Sequence, residues 1–303
     1  MDMSSSPSWP PQPEISAPAK PRALIIGAGF GGLAAAIRLG AKGYHTTIID
    51  KLDSPGGRAT SLRIDGHRFD LGPTIVTAPF LFRDLWALAG RKLDDDVRLV
   101  ALDPFYRIRF RDGSEHVAHA DAARTREAVA RYFPDDLAGY DRLMRESRDR
   151  YEFGFGNLGR RPMNEIRDFA AALPRFATLR ADRSVHAHVA RRVRDQRLRM
   201  ALSFHPLFIG GDPFNVTSMY ALVGYLEQAY GVHYAMGGAG ALAAAMAKLA
   251  EGQGADFRFE TEAEEILMRD GRARGVRTTR GEMIRAEVTV SYTHLTLPTI
   301  YSV

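Results

Sequence analysis

Three glycines, an acid and an arginine carry the spacing on which chemistry can be built. Gly27, Gly29 and Gly32 fit G-x-G-x-x-G, with Gly31 inside the motif. Glycine at the first place permits a sharp turn. At the second it lets the backbone approach a pyrophosphate, and at the third it lets a helix pack closely on a strand. Asp50 follows Gly32 at close to the roughly 20 residues expected for an acid that binds a ribose hydroxyl. Lys51 adjoins it. Gly56-Gly57-Arg58 then offers a second close backbone approach and a rigid fork of donors.

The flanking elements suit that chemistry. Ala23-Leu24-Ile25-Ile26 is a short apolar run of the kind buried on both faces of a parallel sheet. Leu33–Ile37 is rich in helix formers, and Thr46–Ile49 is a second strand that ends on Asp50. Strand, glycine turn, helix, strand and acid form the order of a dinucleotide-binding unit, whose phosphates sit at the helix start. A membrane span over Ala23–Leu39 is excluded by four interrupting glycines and Arg38.

The chain has 303 residues, 45% of them hydrophobic, enough for one or two domains with their own cores. It has no cysteine, so no disulfide framework or thiolate nucleophile. The formal charge of +5 is a modest excess; acids interleave with the basic residues, and no nucleic-acid partner is expected. His116 and His119 are spaced for opposite faces of a strand, and His186 and His188 diverge on a helix, so no metal site is expected. Residues 1–21 are rich in Pro and Ser and read as a disordered tail.

After the first unit, Ser61–Leu71 alternates about an Asp65-Gly66 turn and predicts a hairpin. Phe80–Ala89 reads as a helix and Val97–Ala118 as strands. Asp121–Tyr132, Leu137–Tyr151, Asn164–Leu173 and Ser184–Leu202 read as helices. The last holds Arg191, Arg192, Arg194, Arg197 and Arg199, a basic face that could meet an anionic bilayer or simply be solvated. Gly254–Glu260 and Glu265–Val290 predict further strands.

Gly56-Gly57-Arg58 placed after the ribose acid resembles the second half of the motif in glutathione-reductase-type FAD proteins, amine oxidases and carotenoid desaturases among them. That resemblance implies FAD. Phe69-Asp70-Leu71-Gly72-Pro73-Thr74 narrows it to bacterial- and fungal-type phytoene desaturases, and adds Gly72, Pro73 and Thr74 to the expected cofactor contacts. Phe204, Leu207, Phe208, Ile209 and Gly210-Gly211 match the family's aromatic stretch, as Gly237–Leu242 matches its glycine run. A long hydrocarbon needs an apolar tunnel, and Phe204, Phe208 and Tyr225 are the expected wall residues. His205 is the titratable residue singled out there, for proton removal or substrate positioning, beside the plainer role of a structural histidine.

The resemblance runs from about Arg22 to Val290. It implies an α/β fold: a glutathione-reductase-type, Rossmann-like FAD-binding domain with an inserted mixed α+β substrate domain, incomplete at the C-terminus. The cofactor domain is expected over 22–80 and 236–290, and the substrate and membrane-associating domain over 81–235. The implied activity is FAD-dependent desaturation of phytoene in carotenoid biosynthesis, with quinone or oxygen as electron acceptor. The implied place is the cytoplasm, peripherally on the inner face of the cell membrane. The rivals are another flavin oxidase of the amine oxidase kind and a non-catalytic prenyl-binding escort protein. Ser291–Val303 does not fit the family and resembles translated sequencing-adapter read-through, so the chain as written is expected to be inactive.

Overall fold

A computed structural model describes residues 20–161, 163 and 165–291. Most of the tail expected over 1–21, and of that over 291–303, lies outside these residues. The first elements are β1 (Arg22–Ile26), α1 (Phe30–Ala41) and β2 (His45–Ile49). The hairpin follows as β3 (Ser61–Ile64) and β4 (His67–Asp70), with Asp65 and Gly66 both at positive φ in its turn. Then come α2 (Pro79–Leu88), α3 (Leu93–Asp96), β5 (Leu99–Ala101), β6 (Tyr106–Arg109) and β7 (Glu115–Ala118). Six helices succeed them: α4 (Ala122–Tyr132), α5 (Leu137–Tyr151), α6 (Ile166–Thr178), α7 (Val185–Ala190), α8 (Gln196–Ser203) and α9 (Leu222–Tyr230). The described chain closes with β8 (His233–Ala235), α10 (Gly238–Glu251), β9 (Asp256–Arg258), β10 (Ala263–Arg269), β11 (Arg272–Thr278), β12 (Met283–Arg285) and β13 (Val288–Ser291).

The chain divides into two units. One runs to Arg58 and resumes at Ala243; the other is Ala59–Leu242. In the first, four parallel strands lie in the order β13-β1-β2-β9. Ile25 of β1 stands opposite both Ile48 and Val290, and Ile48 opposite Phe257. Strand β1 is therefore central, and Ala23, Leu24 and Ile25 are buried because both faces are covered. Ser291 ends β13 opposite Ile26. An antiparallel sheet β10-β11-β12 belongs to the same unit, and Leu24, Ile49, Val276, Ile284 and Ala286 share one core.

The second unit is built on α4, α5, α7 and α8, whose core includes Val129, Phe133, Tyr140, Leu143, Val189 and Leu198. Here the single helix expected over Ser184–Leu202 is corrected to two. The Asp136 carboxylate accepts the backbone N–H groups of Arg194 at 2.7 Å and Asp195 at 2.8 Å, holding that stretch out of a helix. Asp195 then caps α8 through the N–H groups of Arg197 and Leu198. The five arginines therefore form no single basic face. Arg192 is bidentate on Glu146, and Arg197 pairs with Asp195 and Asp112. Helix α6 instead runs past its expected end, through Pro174 to Thr178, with a capping box between Glu165 and Asp168 at its start.

Candidate functional site

The glycine unit forms a cradle in the first unit. Gly27 leaves β1 at φ +98°, and Gly29 is the extended N-cap of α1. The first turn of α1 carries neither a capping side chain nor an acid, which leaves the positive end of the helix for an anion. A Cβ added to Gly32 would collide with the Gly27 carbonyl, so only glycine lets α1 lie this close to β1. A Cβ added to Gly29 would meet nothing nearer than the Gly56 carbonyl at 3.9 Å. The space above that turn is open, as a bound phosphate requires.

Asp50 ends β2 and ties the cradle together. Its Oδ2 accepts the Ala28 N–H at 2.6 Å and its Oδ1 the Leu52 N–H at 2.8 Å. Each oxygen keeps a further lone pair for a sugar hydroxyl. Gly56 bridges to Gly29 and donates its N–H to the Ala28 carbonyl at 2.9 Å, which brings the second glycine pair onto the first turn. Gly31 lies in the first turn of α1, while Lys51 and Arg58 are exposed beside the cradle. Gly72, Pro73 and Thr74 follow β4 in the second unit and are exposed. The open turn, the uncapped helix start and the Asp50 carboxylate fit the pyrophosphate and ribose of a dinucleotide such as FAD.

In the second unit the expected wall residues separate into two groups. Phe204 meets Phe208 edge-on at 5.3 Å and Tyr106 at 5.1 Å. Tyr225 lies elsewhere, 5.3 Å from Tyr151, which stacks on Phe155 and neighbours Tyr230. His205 is buried, and its Nε2 is 3.1 Å from Glu227 Oε2.

Glu227 is the functional-looking residue that sequence reasoning passed over. It is an acid buried on α9, with Leu226 beside it in the sequence, and that placement was its signal. Tyr106 directs its hydroxyl to Glu227 Oε2 at 3.5 Å, and burial together with that carboxylate pushes the phenol well above its usual range. Burial, then the nearby His205, pushes the His116 imidazole down to about 4. Among the described residues no group of three or more His, Asp or Glu could hold a metal ion.

A model of flavin containing amine oxidoreductases matches residues 30–297. The neurosporene-forming phytoene desaturase of Cereibacter sphaeroides is 58% identical over 270 residues, which span 89% of this chain and 52% of that protein. The lycopene-forming enzyme of a Paracoccus species is 39% identical over 274 residues, 90% of this chain and 55% of its own length. The chain thus spans about half the length of the curated relatives it matches. Among solved structures, wild-type putrescine oxidase superposes with a TM-score of 0.59 at 18% identity, over 89% of this chain and 57% of that one. An oxidoreductase from Methanosarcina mazei superposes at 0.56 and 18%, over 89% and 58%. These structural likenesses establish the α/β fold, and FAD is the cofactor that the family and the desaturase relatives imply. The glycine cradle and the match over residues 30–297 agree: this chain belongs to the flavin-containing amine oxidoreductase family and is similar, within it, to the phytoene desaturases.

Proposed function

We propose that this chain is part of an FAD-dependent desaturase that acts on a carotenoid precursor, most simply phytoene. The observation that carries the reading is the high identity to phytoene desaturases across both units. FAD, when bound, supplies the two-electron acceptor, and quinone or oxygen is the final one. The protein's own share is to hold the dinucleotide at Gly27–Gly32, Asp50 and Arg58, and to present an apolar wall. Phe204 and Phe208 are the wall residues. His205, tied to Glu227, positions that wall.

A water-insoluble substrate calls for a lipid surface, and α6 supports one. Ile166, Phe169 and Leu173 recur at i, i+3 and i+7 and are 90%, 52% and 48% exposed. That stripe suits the interfacial region of a bilayer, so the protein sits peripherally on the inner face of the cell membrane. No helix among the described residues is long and apolar enough to cross one.

The test is expression of a full-length protein carrying this sequence in a host that accumulates phytoene. Coloured, more unsaturated carotenoids are expected. A protein that binds FAD but leaves phytoene and its shorter-chain analogue unchanged would refute the assignment.

A further inference from the structure

The Phe204 ring is seated on polar ground. It stacks on the His205 imidazole at 4.6 Å and meets Tyr106 edge-on at 5.1 Å. His205 and Tyr106 in turn line a cavity of about 30 Å³, together with His116, Tyr140, Glu227 and Gln228. Two of its wall residues carry buried polar atoms with no hydrogen-bond partner among the described residues: Glu227 Oε1 and His116 Nδ1. Glu227 is 3% exposed and His116 2%. Buried polar atoms are nearly always satisfied, so two orphans on one cavity point to something inside it.

Size and chemistry identify the occupant. One water needs about 10–15 Å³ of such space and two to four polar partners. The cavity exceeds that volume yet is too small for an organic ligand. Water can donate to a carboxylate oxygen, which only accepts, while its second proton or its lone pairs serve an imidazole nitrogen of either tautomer. His116 is neutral at physiological pH because burial holds its imidazole near 4, so no ion is required beside it. Tyr140 accepts from the Gln228 amide at 2.8 Å and keeps its own hydroxyl proton for a third bond.

We propose that this cavity is a binding site for one water molecule, which bridges Glu227 Oε1 and His116 Nδ1. The water completes a chain from His205 through Glu227 to His116 and so fixes the base on which the Phe204 ring rests. The site is independent of the reaction assigned above, because its readout is structural.

A crystal structure of the full-length, FAD-loaded protein tests it. Water density is expected at about 2.7–3.2 Å from both atoms. Glu227→Gln keeps an acceptor and is expected to keep the water; Glu227→Met and His116→Phe are expected to lose it, with a lower Tm. If Glu227→Met does not fold, His116→Phe carries the comparison. A dry cavity at a resolution that shows other buried waters would overturn the proposal. So would side chains turned onto protein partners, or a water unmoved by His116→Phe.

Discussion

Two glycines of the cradle should respond to a side chain in opposite ways. Gly29 has φ −73° and ψ 176°, a conformation open to any residue, and an added Cβ finds only the Gly56 carbonyl at 3.9 Å. Gly29→Ala and Gly29→Val should therefore leave the apo-protein within about 1 kcal/mol of wild type. What the new carbon occupies is the space a phosphate needs. A backbone hydrogen bond to a charged group contributes about 1.5–3 kcal/mol, so losing one weakens FAD by roughly 10- to 150-fold. Gly32→Ala acts on the fold instead. Its Cβ would collide with the Gly27 carbonyl oxygen and stand 3.0 Å from the carbonyl carbon and 3.3 Å from Ile25 Cγ2. Helix and strand must part, at about 1–3 kcal/mol or more. Urea unfolding of the apo-protein and titration with FAD separate the two effects. Unchanged FAD affinity in Gly29→Val, or a Gly32→Ala protein as stable as wild type, would refute the reasoning.

Ile166→Glu on α6 removes the most exposed apolar side chain of the stripe, and vesicle binding should weaken about tenfold or more in co-sedimentation, since burying such a side chain contributes about 1.5–3 kcal/mol; undiminished binding would exclude α6 as the contact. Because His116 in the folded protein is depressed from 6.5 to about 4, the unfolded chain takes up the proton first as pH falls. Stability should therefore be full above about pH 6.5 and decline toward pH 4, by up to about 3 kcal/mol from this group; denaturant midpoints across that window should fall less steeply in His116→Phe. Arg192→Ala removes a bidentate partner at 2.7 Å from Glu146, with His188 Nε2 also 3.2 Å from that carboxylate. A loss of about 2 kcal/mol in chemical unfolding is expected, with Arg192→Lys recovering part of it.

What could be read in the sequence was what lies close along the chain. From Ala23 to Arg58, strand, turn, helix and acid are contiguous, so their order alone places Asp50 against the glycine turn, and the Ala28 N–H bond records it. The β3–β4 hairpin was legible for the same reason, because Asp65-Gly66 fixes its register locally. Helix α7 could not be separated from α8 on local grounds. Their residues favour one helix, and the break is imposed by Asp136, a residue far upstream whose carboxylate claims two backbone donors.

The same distance along the chain hid the polar base of the Phe204 ring cluster. Glu227 and His205 are separated by a glycine break and a helix, and Tyr106 and His116 come from a hairpin far earlier, Tyr106 being 121 residues before Glu227. Each has a plausible local role: Glu227 as a solvated helix acid, His116 as an outward strand residue, Tyr106 as core. Only the folded unit places an acid, two imidazoles and a phenol around one cavity, where burial changes what each must do. A carboxyl group at 3% exposure needs hydrogen-bond partners for its oxygens. His205 supplies one such bond and Tyr106 a weaker one, and both go to the same oxygen. Family-like spacing singled out Phe204 and Phe208 in the sequence, whereas the polar ground under the Phe204 ring follows from the fold, which sets His205 against Glu227.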